Sequence, residues 1–221
     1  MPYWNRPAQW AASKASYGRV YPDLDIEFSI CDDGSPEPLC EMQDPRVRLI
    51  RLPPKMEAKC PVVPINQAVR NSTRDVIVLT NPEIEHRERV LIQMLEALQD
   101  PNDYVIAGCR DTRQGEWFSG SGRDMTGCLV APGYQYHFCV MFHRELFERA
   151  GGFDEEYRDG HCYDDNDWTF RLHALGDVNV KYVDGVVWHV RSPFQRSQWR
   201  GPLIAKNERL LRKKWGHLLC A

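Results

Sequence analysis

The fold is decided by a strand and the turn that follows it, D-I-E-F-S-I-C-D-D-G-S at residues 25–35. The first seven residues alternate apolar and polar side chains, which is typical of a β-strand. The strand then runs directly into Asp32, Asp33 and Gly34. In open α/β sheets, ligands bind at the carboxyl ends of the strands. The stretch therefore predicts a strand whose end presents two carboxylates to a ligand.

The segments on both sides of this stretch alternate between helix and strand patterns. Helices are predicted at residues 9–19, 64–71 and 87–98, and strands at residues 47–52, 75–79 and 104–109. The pattern VIVL within residues 75–79 is typical of a buried parallel strand. This alternation predicts an α/β fold with a mostly parallel central sheet and helices on both faces.

The second half of the chain is less regular. Residues 115–132 predict loops or an antiparallel hairpin, and residues 136–142 are apolar and aromatic. Helices are predicted at residues 144–150, 165–175 and 202–215, and two short strands around Asp184 and Gly185 at residues 178–190. Because the sequence shows no repeat and no linker, we expect one domain over residues 1–221.

Composition excludes several classes of protein. With 28 Lys and Arg against 31 Asp and Glu, the net charge of −3 provides no general attraction to nucleic acid. No apolar run approaches the roughly 18 residues of a membrane-spanning helix, and residues 1–10 do not resemble a signal peptide. The eight cysteines form no C-x-x-C pair, so we interpret them as structural residues in a reducing compartment. These features predict a cytoplasmic protein.

Acidic residues gather in three clusters, each beside a predicted strand end or turn. The clusters are Asp32/Asp33, Glu83/Glu85 and Asp164/Asp165/Asp167. Neighbouring carboxylates raise one another's pKa unless a cation or hydrogen-bond donors lie between them. A divalent metal bound to a phosphorylated ligand would meet that need. Alternatively, each cluster only caps a helix and stays solvated.

Taken in order, several motifs resemble those of the family 2 nucleotide-sugar glycosyltransferases, which have the GT-A fold. They are PYWNRP at residues 2–7, CDDGS at 31–35, PINQA at 64–68, LTNPE at 79–83, GGFDE at 151–155, YDDND at 163–167, RL at 171–172 and WH at 188–189. The resemblance covers residues 1–190. It implies a GT-A-type, Rossmann-like sandwich with a nucleotide-binding half (1–110), an acceptor and catalytic half (111–190) and a basic C-terminal arm and helix (191–221).

The resemblance also implies roles for particular residues in binding the donor. The nucleotide would contact Pro2, Asn5, Arg6, Asp32, Asp33 and Asn66. Glu83 would be the main ligand of Mn²⁺ or Mg²⁺, assisted by Asn81 and His189. The metal would neutralise the diphosphate leaving group of a UDP-, GDP- or dTDP-linked sugar.

Asp165 would be the general base that takes the proton of the acceptor hydroxyl. Asp154, Asp164 and Asp167 would lie at the acceptor, which is a glycan, a lipid-linked molecule or a protein. Alternatively, Asp167 favours the helix dipole, and Asp154 closes the turn after Gly152. The resemblance thus predicts a metal-dependent, inverting hexosyltransferase.

The sequence also departs from the family pattern. The family's first strand is missing or truncated, because Met1 directly precedes the PYWNRP turn, and N-P-E replaces the metal-binding D-x-D. These departures motivate an alternative, a degenerate GT-A domain that binds nucleotide-sugar or glycan without turnover. Residues 195–199 (QRSQW) do not reproduce the Q-x-x-R-W of processive members, so we expect a non-processive enzyme. Basic residues at 191–214 suggest a closing arm, contact with an anionic membrane, or the solvated face of a helix.

Overall fold

The computed structural model of the chain describes residues 1–41, 43–112, 138–190 and 201–219. The loops or hairpin predicted at residues 115–132 and the QRSQW segment at 195–199 lie outside these ranges, as do the basic residues Arg191, Arg196 and Arg200.

The first half of the chain contains a small parallel sheet. Its strands β1 (Pro2–Tyr3), β2 (Phe28–Asp32) and β3 (Val47–Arg51) lie in the order β1-β2-β3. Helix α1 (Pro7–Val20) follows β1, and helix α2 (Val62–Asn71) follows β3. The carboxyl ends of β1 and β2 lie side by side, because Tyr3 pairs with Asp32. The parallel register therefore brings the two predicted donor-binding turns together.

A larger mixed sheet forms the centre of the protein. Its strands are β4 (Val76–Thr80), β5 (Ile84–His86), β6 (Asp103–Asp111), β7 (Cys139–His143) and β8 (Asn179–His189), in the order β4-β7-β6-β8-β5. Strands β6 and β8 are parallel, and the other pairs are antiparallel. The remaining helices are α3 (Val90–Ala97), α4 (Arg144–Arg149), a 3-10 helix (Glu155–Asp159), α5 (Asp164–Leu175) and α6 (Gly201–Leu219). The α/β class is confirmed.

One predicted boundary is wrong, because residues 178–190 form a single strand instead of two. In the pairing with β6, Tyr182 lies opposite Ile106 and Val186 lies opposite Gly108. The extra residues of β8 bulge out between these pairs, and the backbone N–H of Gly185 donates to Gln93 Oε1 at 2.8 Å. The bulge accommodates the Asp-Gly pair without ending the strand.

The central sheet is buried on both faces by two separate hydrophobic cores. Along β6, Tyr104 and Ile106 face one core, whereas Val105 and Ala107 face the other. This alternation follows from the two-residue period of a strand. One core also contains the residues of α1 and α3, and the other contains residues of α2, α4 and α5 together with Leu211 of α6. The apolar face of α6 thus packs against the protein.

Strand β1 is two residues long. A cleft of about 400 Å³ lies beside Met1, and its walls include Phe28 and Ser29 of β2 and Val76 and Val78 of β4. The amino group of Met1 donates to the carbonyl oxygen of Ser29 at 2.8 Å. Burial lowers the pKa of this amine to about 5.

Within the described ranges, no helix combines the length and apolar character needed to cross a membrane.

Candidate active site

Asp32 shapes the turn at the end of β2. Its Oδ1 accepts hydrogen bonds from the backbone N–H of Ser35 at 2.9 Å and from the Ser35 hydroxyl at 2.6 Å. Its Oδ2 accepts one from the backbone N–H of Leu39 at 3.0 Å. Because Asp32 is fully buried and bound to its own loop, it organises the turn.

Asp33 has a different environment. It forms an ion pair with Lys55, a flexible side chain, rather than with the backbone. Burial raises the pKa of Asp33, and Lys55 opposes that shift only in part. Of the two carboxylates, Asp33 is therefore the one that contacts a flexible side chain instead of its own loop.

Residues after β1 connect this turn to a second group of polar residues. The backbone N–H of Asn5, a residue with φ of +48°, donates to the Ser35 hydroxyl at 2.8 Å. Next to it, Arg6 places Nε 3.8 Å from Glu83 Oε2. Pro2 lies buried in β1, opposite Cys31 of β2. The two turns and Glu83 are therefore contiguous.

Glu83 and His189 meet at the edge of the central sheet. Glu83 Oε1 lies 3.5 Å from His189 Nε2, and both residues are buried. The sheet fixes this approach, because Ile84 pairs with His189 and the backbone N–H of Val190 donates to the Glu83 carbonyl at 2.9 Å. Burial alone would raise the pKa of Glu83, but the bond to His189 and the Arg6 charge outweigh it and lower that pKa. Glu83 is therefore ionised.

Asp111 belongs to the same edge, although the sequence analysis did not single it out. It ends β6 directly opposite His189 in the parallel register and is 2% exposed. The signal in the sequence was a carboxylate at the end of an apolar strand, as at Asp32. Only the pairing of β6 with β8 brings Asp111 beside His189.

The donor set at this edge is suited to a divalent metal. Mg²⁺ and similar ions usually take one or two protein carboxylates together with phosphate oxygens, rather than a complete protein cage. A buried carboxylate and an imidazole 3.5 Å apart fit that pattern. The described part of the chain contains no group of three or more His, Cys, Asp or Glu residues arranged to hold a metal. Within the described residues, Glu83 and His189 would therefore supply only part of the coordination of such an ion.

Asp164 and Asp165 form a separate acidic pair at the start of α5. Burial raises the pKa of Asp165 well above its ordinary value, and the carboxylate of Asp164 raises it further. Burial also raises the pKa of Asp164, although a hydrogen bond from Cys60 opposes the shift. A carboxyl group with a raised pKa is suited to accept a proton near neutral pH.

Asp154 and Asp167 are held by other protein groups. Asp167 accepts hydrogen bonds from the Tyr157 hydroxyl at 3.2 Å, Arg171 Nε at 2.7 Å and Trp215 Nε1 at 2.8 Å. Asp154 caps the 3-10 helix through the Glu156 N–H and pairs with Arg171 and Lys214. Both carboxylates are therefore bound by other groups of the protein.

Asn66 does not point toward the nucleotide turns. Its Nδ2 donates to the Phe153 carbonyl at 2.8 Å and to Glu155 Oε1 at 3.0 Å, and its Oδ1 accepts from the Phe153 N–H at 2.9 Å. Asn66 therefore ties α2 to the turn after Gly152, and its predicted contact with the nucleotide finds no support in this geometry. The PINQA motif identified Asn66 as a notable residue, but the residues that Asn66 contacts, Phe153 and Glu155, lie far from it in the sequence.

The described strands and helices have the α/β architecture of the GT-A fold. The family model described as Glycosyl transferase family 2 matches residues 1–178. The chain therefore belongs to glycosyl transferase family 2.

Two solved structures have a similar fold. The mannosyltransferase PcManGT from Pyrobaculum calidifontis, in complex with GDP-Man and Mn²⁺, is 19% identical with a TM-score of 0.58, covering 89% of this chain and 56% of its own. S. aureus TarS 1-349 is 12% identical with a TM-score of 0.62, covering 86% of this chain and 58% of its own. The chain thus spans less than two thirds of these proteins. No curated protein sequence matches it significantly.

Proposed function

We propose that the protein is a metal-dependent, inverting and non-processive hexosyltransferase that moves a sugar from a nucleoside diphosphate to an acceptor hydroxyl. The observation that supports this most is the continuous row from the glycine turn through Arg6 to Glu83 and His189. The row places a cation, a carboxylate and an imidazole beside the predicted nucleotide turn. That arrangement is suited to a diphosphate accompanied by a metal ion.

Residues of the two turns would bind the donor. Pro2 and Asn5 would line the pocket, and Asp33 would accept hydrogen bonds from the N–H of uracil, guanine or thymine, or from ribose hydroxyls. Asp32 would keep the turn in shape. The guanidinium of Arg6 would lie against the diphosphate, because it is already positioned between the turn and Glu83.

Glu83 and His189 would hold the metal, with the amide oxygen of Asn81 as a neutral ligand and Asp111 beside them. When bound, Mn²⁺ or Mg²⁺ would neutralise the charge that develops on the departing diphosphate. The Mn²⁺ in the similar mannosyltransferase structure supports this choice.

Asp165 would remove the proton of the acceptor hydroxyl. The oxygen would then form a bond to the anomeric carbon while the bond from that carbon to the diphosphate breaks on the opposite side, which inverts the configuration. Asp164 would keep the pKa of the base raised. Because Asp154 and Asp167 are bound by Arg171, Lys214 and Trp215, they would support α5 rather than contact the acceptor.

The acceptor would be a glycan, a lipid-linked molecule or a protein hydroxyl, in the cytoplasm. We also propose that the basic residues after Arg191 bring the protein into contact with an anionic membrane. In α6, Lys214 is paired with Asp154 and Glu156 and Arg212 is paired with Glu208, so the exposed Lys213 would make that contact.

The test measures sugar transfer and nucleotide release from UDP-, GDP- and dTDP-sugars, with Mn²⁺ or with a chelator. We expect metal-dependent turnover that falls by about 10²- to 10⁴-fold in Asp165→Asn, the usual contribution of a general base. Glu148→Gln, an exposed carboxylate on α4, is the matched control.

Equal and metal-independent release by the wild type and Asp165→Asn would refute the catalytic role. Thermal stabilisation by a nucleotide without any release would instead indicate a domain that binds without turnover.

A further inference from the structure

The turn that precedes the Asp164/Asp165 pair is held by a side chain from α6. Asn207 is fully buried. Its Nδ2 donates to the carbonyl oxygen of Tyr157 at 3.1 Å and to that of Cys162 at 2.9 Å. A single amide group therefore joins both ends of the segment 157–162.

The fit between this segment and α6 is close. A side chain at Gly160 would place its Cβ 2.1 Å from Asn207 Oδ1, so only glycine allows the approach. Nearby, the backbone N–H of His161 donates to the Leu203 carbonyl of α6 at 3.2 Å. The segment 157–162 therefore packs closely against α6 and is hydrogen-bonded to it.

The backbone at Cys162 and Tyr163, directly before the acidic pair, is in an unfavourable conformation. Cys162 has φ of +62° and Tyr163 has φ of +67°, values that residues other than glycine rarely adopt. Such conformations persist where the surrounding contacts enforce them, and they concentrate at functional sites. The bond from Asn207 to the Cys162 carbonyl is one such contact, and the N–H of Asp167 donating to the Tyr163 carbonyl at 3.0 Å is another.

We propose that Asn207 is a positioning residue for catalysis, which holds the left-handed turn at Cys162 and Tyr163 so that Asp165 is presented to the acceptor. This inference rests on the proposed function, in which Asp165 is the general base. Asn207 acts only through the turn, and its effect should appear in kcat rather than in donor binding.

The test compares Asn207→Ala, which removes both donated bonds, with Asn207→Asp, which keeps the size but sets a carboxylate oxygen against two carbonyl oxygens. Glu148→Gln on the exposed face of α4 is the control. Each variant is assayed well below its own Tm. We expect kcat to fall at least tenfold in both Asn207 variants, with KM for the donor within twofold of the wild type and the control unchanged.

A rescue separates positioning from a general loss of stability. Glycine adopts positive φ without strain. Adding Cys162→Gly to Asn207→Ala should therefore recover most of the lost kcat. A lowered Tm with wild-type kcat in the Asn207 variants, or the absence of any rescue, would overturn the proposal.

Hydrogen exchange tests the turn independently of activity. The amide of Asp167 is bonded to the Tyr163 carbonyl, so its exchange should become faster in Asn207→Ala and recover with Cys162→Gly. Unchanged exchange would show that Asn207 does not hold the turn. A wild-type protein without transferase activity would instead refute the proposed function, while the exchange result would still decide the role of Asn207.

Discussion

Gly34 is the residue on which the first donor turn depends. It has φ of +77°, and a Cβ at this position would lie 2.1 Å from the carbonyl oxygen of Pro53. The carbonyl of Gly34 also accepts a hydrogen bond from the N–H of Lys55 at 3.0 Å, and Lys55 pairs with Asp33. A change at Gly34 would therefore reach both the backbone and the carboxylate.

We expect Gly34→Ala to destabilise the protein more than Gly176→Ala does. Both glycines have φ near +78°, but nothing lies within 4 Å of a Cβ at Gly176. Gly176→Ala should therefore cost about 1–2 kcal/mol for the left-handed backbone alone. Gly34→Ala adds a backbone clash and should cost more. Urea denaturation measures both, and equal losses would show that the turn can shift away from Pro53.

Individual site residues differ in how far sequence alone could assign them. Asp32 and Asp33 are adjacent in a recognisable motif, yet only the structure shows that one binds its own loop and the other a lysine. Asp111 carries no motif, and its place beside His189 comes from strand register. Contacts between distant residues are what a local pattern cannot supply.

At the scale of elements, α6 contacts the acidic region through Trp215 as well as Asn207. The Trp215 ring stacks on Phe170 with centroids 5.3 Å apart, and its Nε1 donates to Asp167. Both contacts connect α6 to α5.

We expect Trp215→Phe to lower the free energy of unfolding by about 1.5–3 kcal/mol, because it removes a hydrogen bond to a charged group but keeps an aromatic ring. Trp215→Ala also removes the stacked ring and should cost about 3–5 kcal/mol. Denaturation of the two variants gives the comparison. Equal losses would mean that the bond to Asp167 carries the whole effect.

The long helices were predictable because their apolar spacing is a local property. Strand β5 was not, since Ile84–His86 is only three residues long and depends on pairing with β8. The same holds for β8, where the Asp184-Gly185 pair suggested a turn but forms a bulge opposite β6. In each case pairing with a distant strand overrides the local signal.

At the scale of the whole molecule, the central sheet separates two cores. Ile84 and Ile65 are both buried, but they belong to different cores. We expect Ile84→Val and Ile65→Val to cost about 0.5–1.5 kcal/mol each. In the double variant the losses should add within about 0.5 kcal/mol, because the residues lie in different cores. A larger deviation in denaturation experiments would reveal coupling through the sheet.

The buried amino group of Met1 makes stability depend on pH. Its pKa falls from 8.0 to about 5 on folding. Between these values the unfolded chain binds a proton that the folded protein does not, so the free energy of unfolding rises from pH 5 to pH 8. Acetylation of the amine removes this contribution, and thermal denaturation should then show a flatter pH dependence in that window. Parallel curves for both forms would contradict the burial of the charge.

The contacts of α6 also affect the order in which the parts of the protein are completed during synthesis. The ribosome makes α6 after every other described element, yet Asn207 and Trp215 of α6 contact the segment that carries Asp165. A nascent chain could therefore fold both sheets and still lack a finished acidic turn. Under the proposed roles, the residues that bind the donor would be in place before α6 completes the turn that presents Asp165.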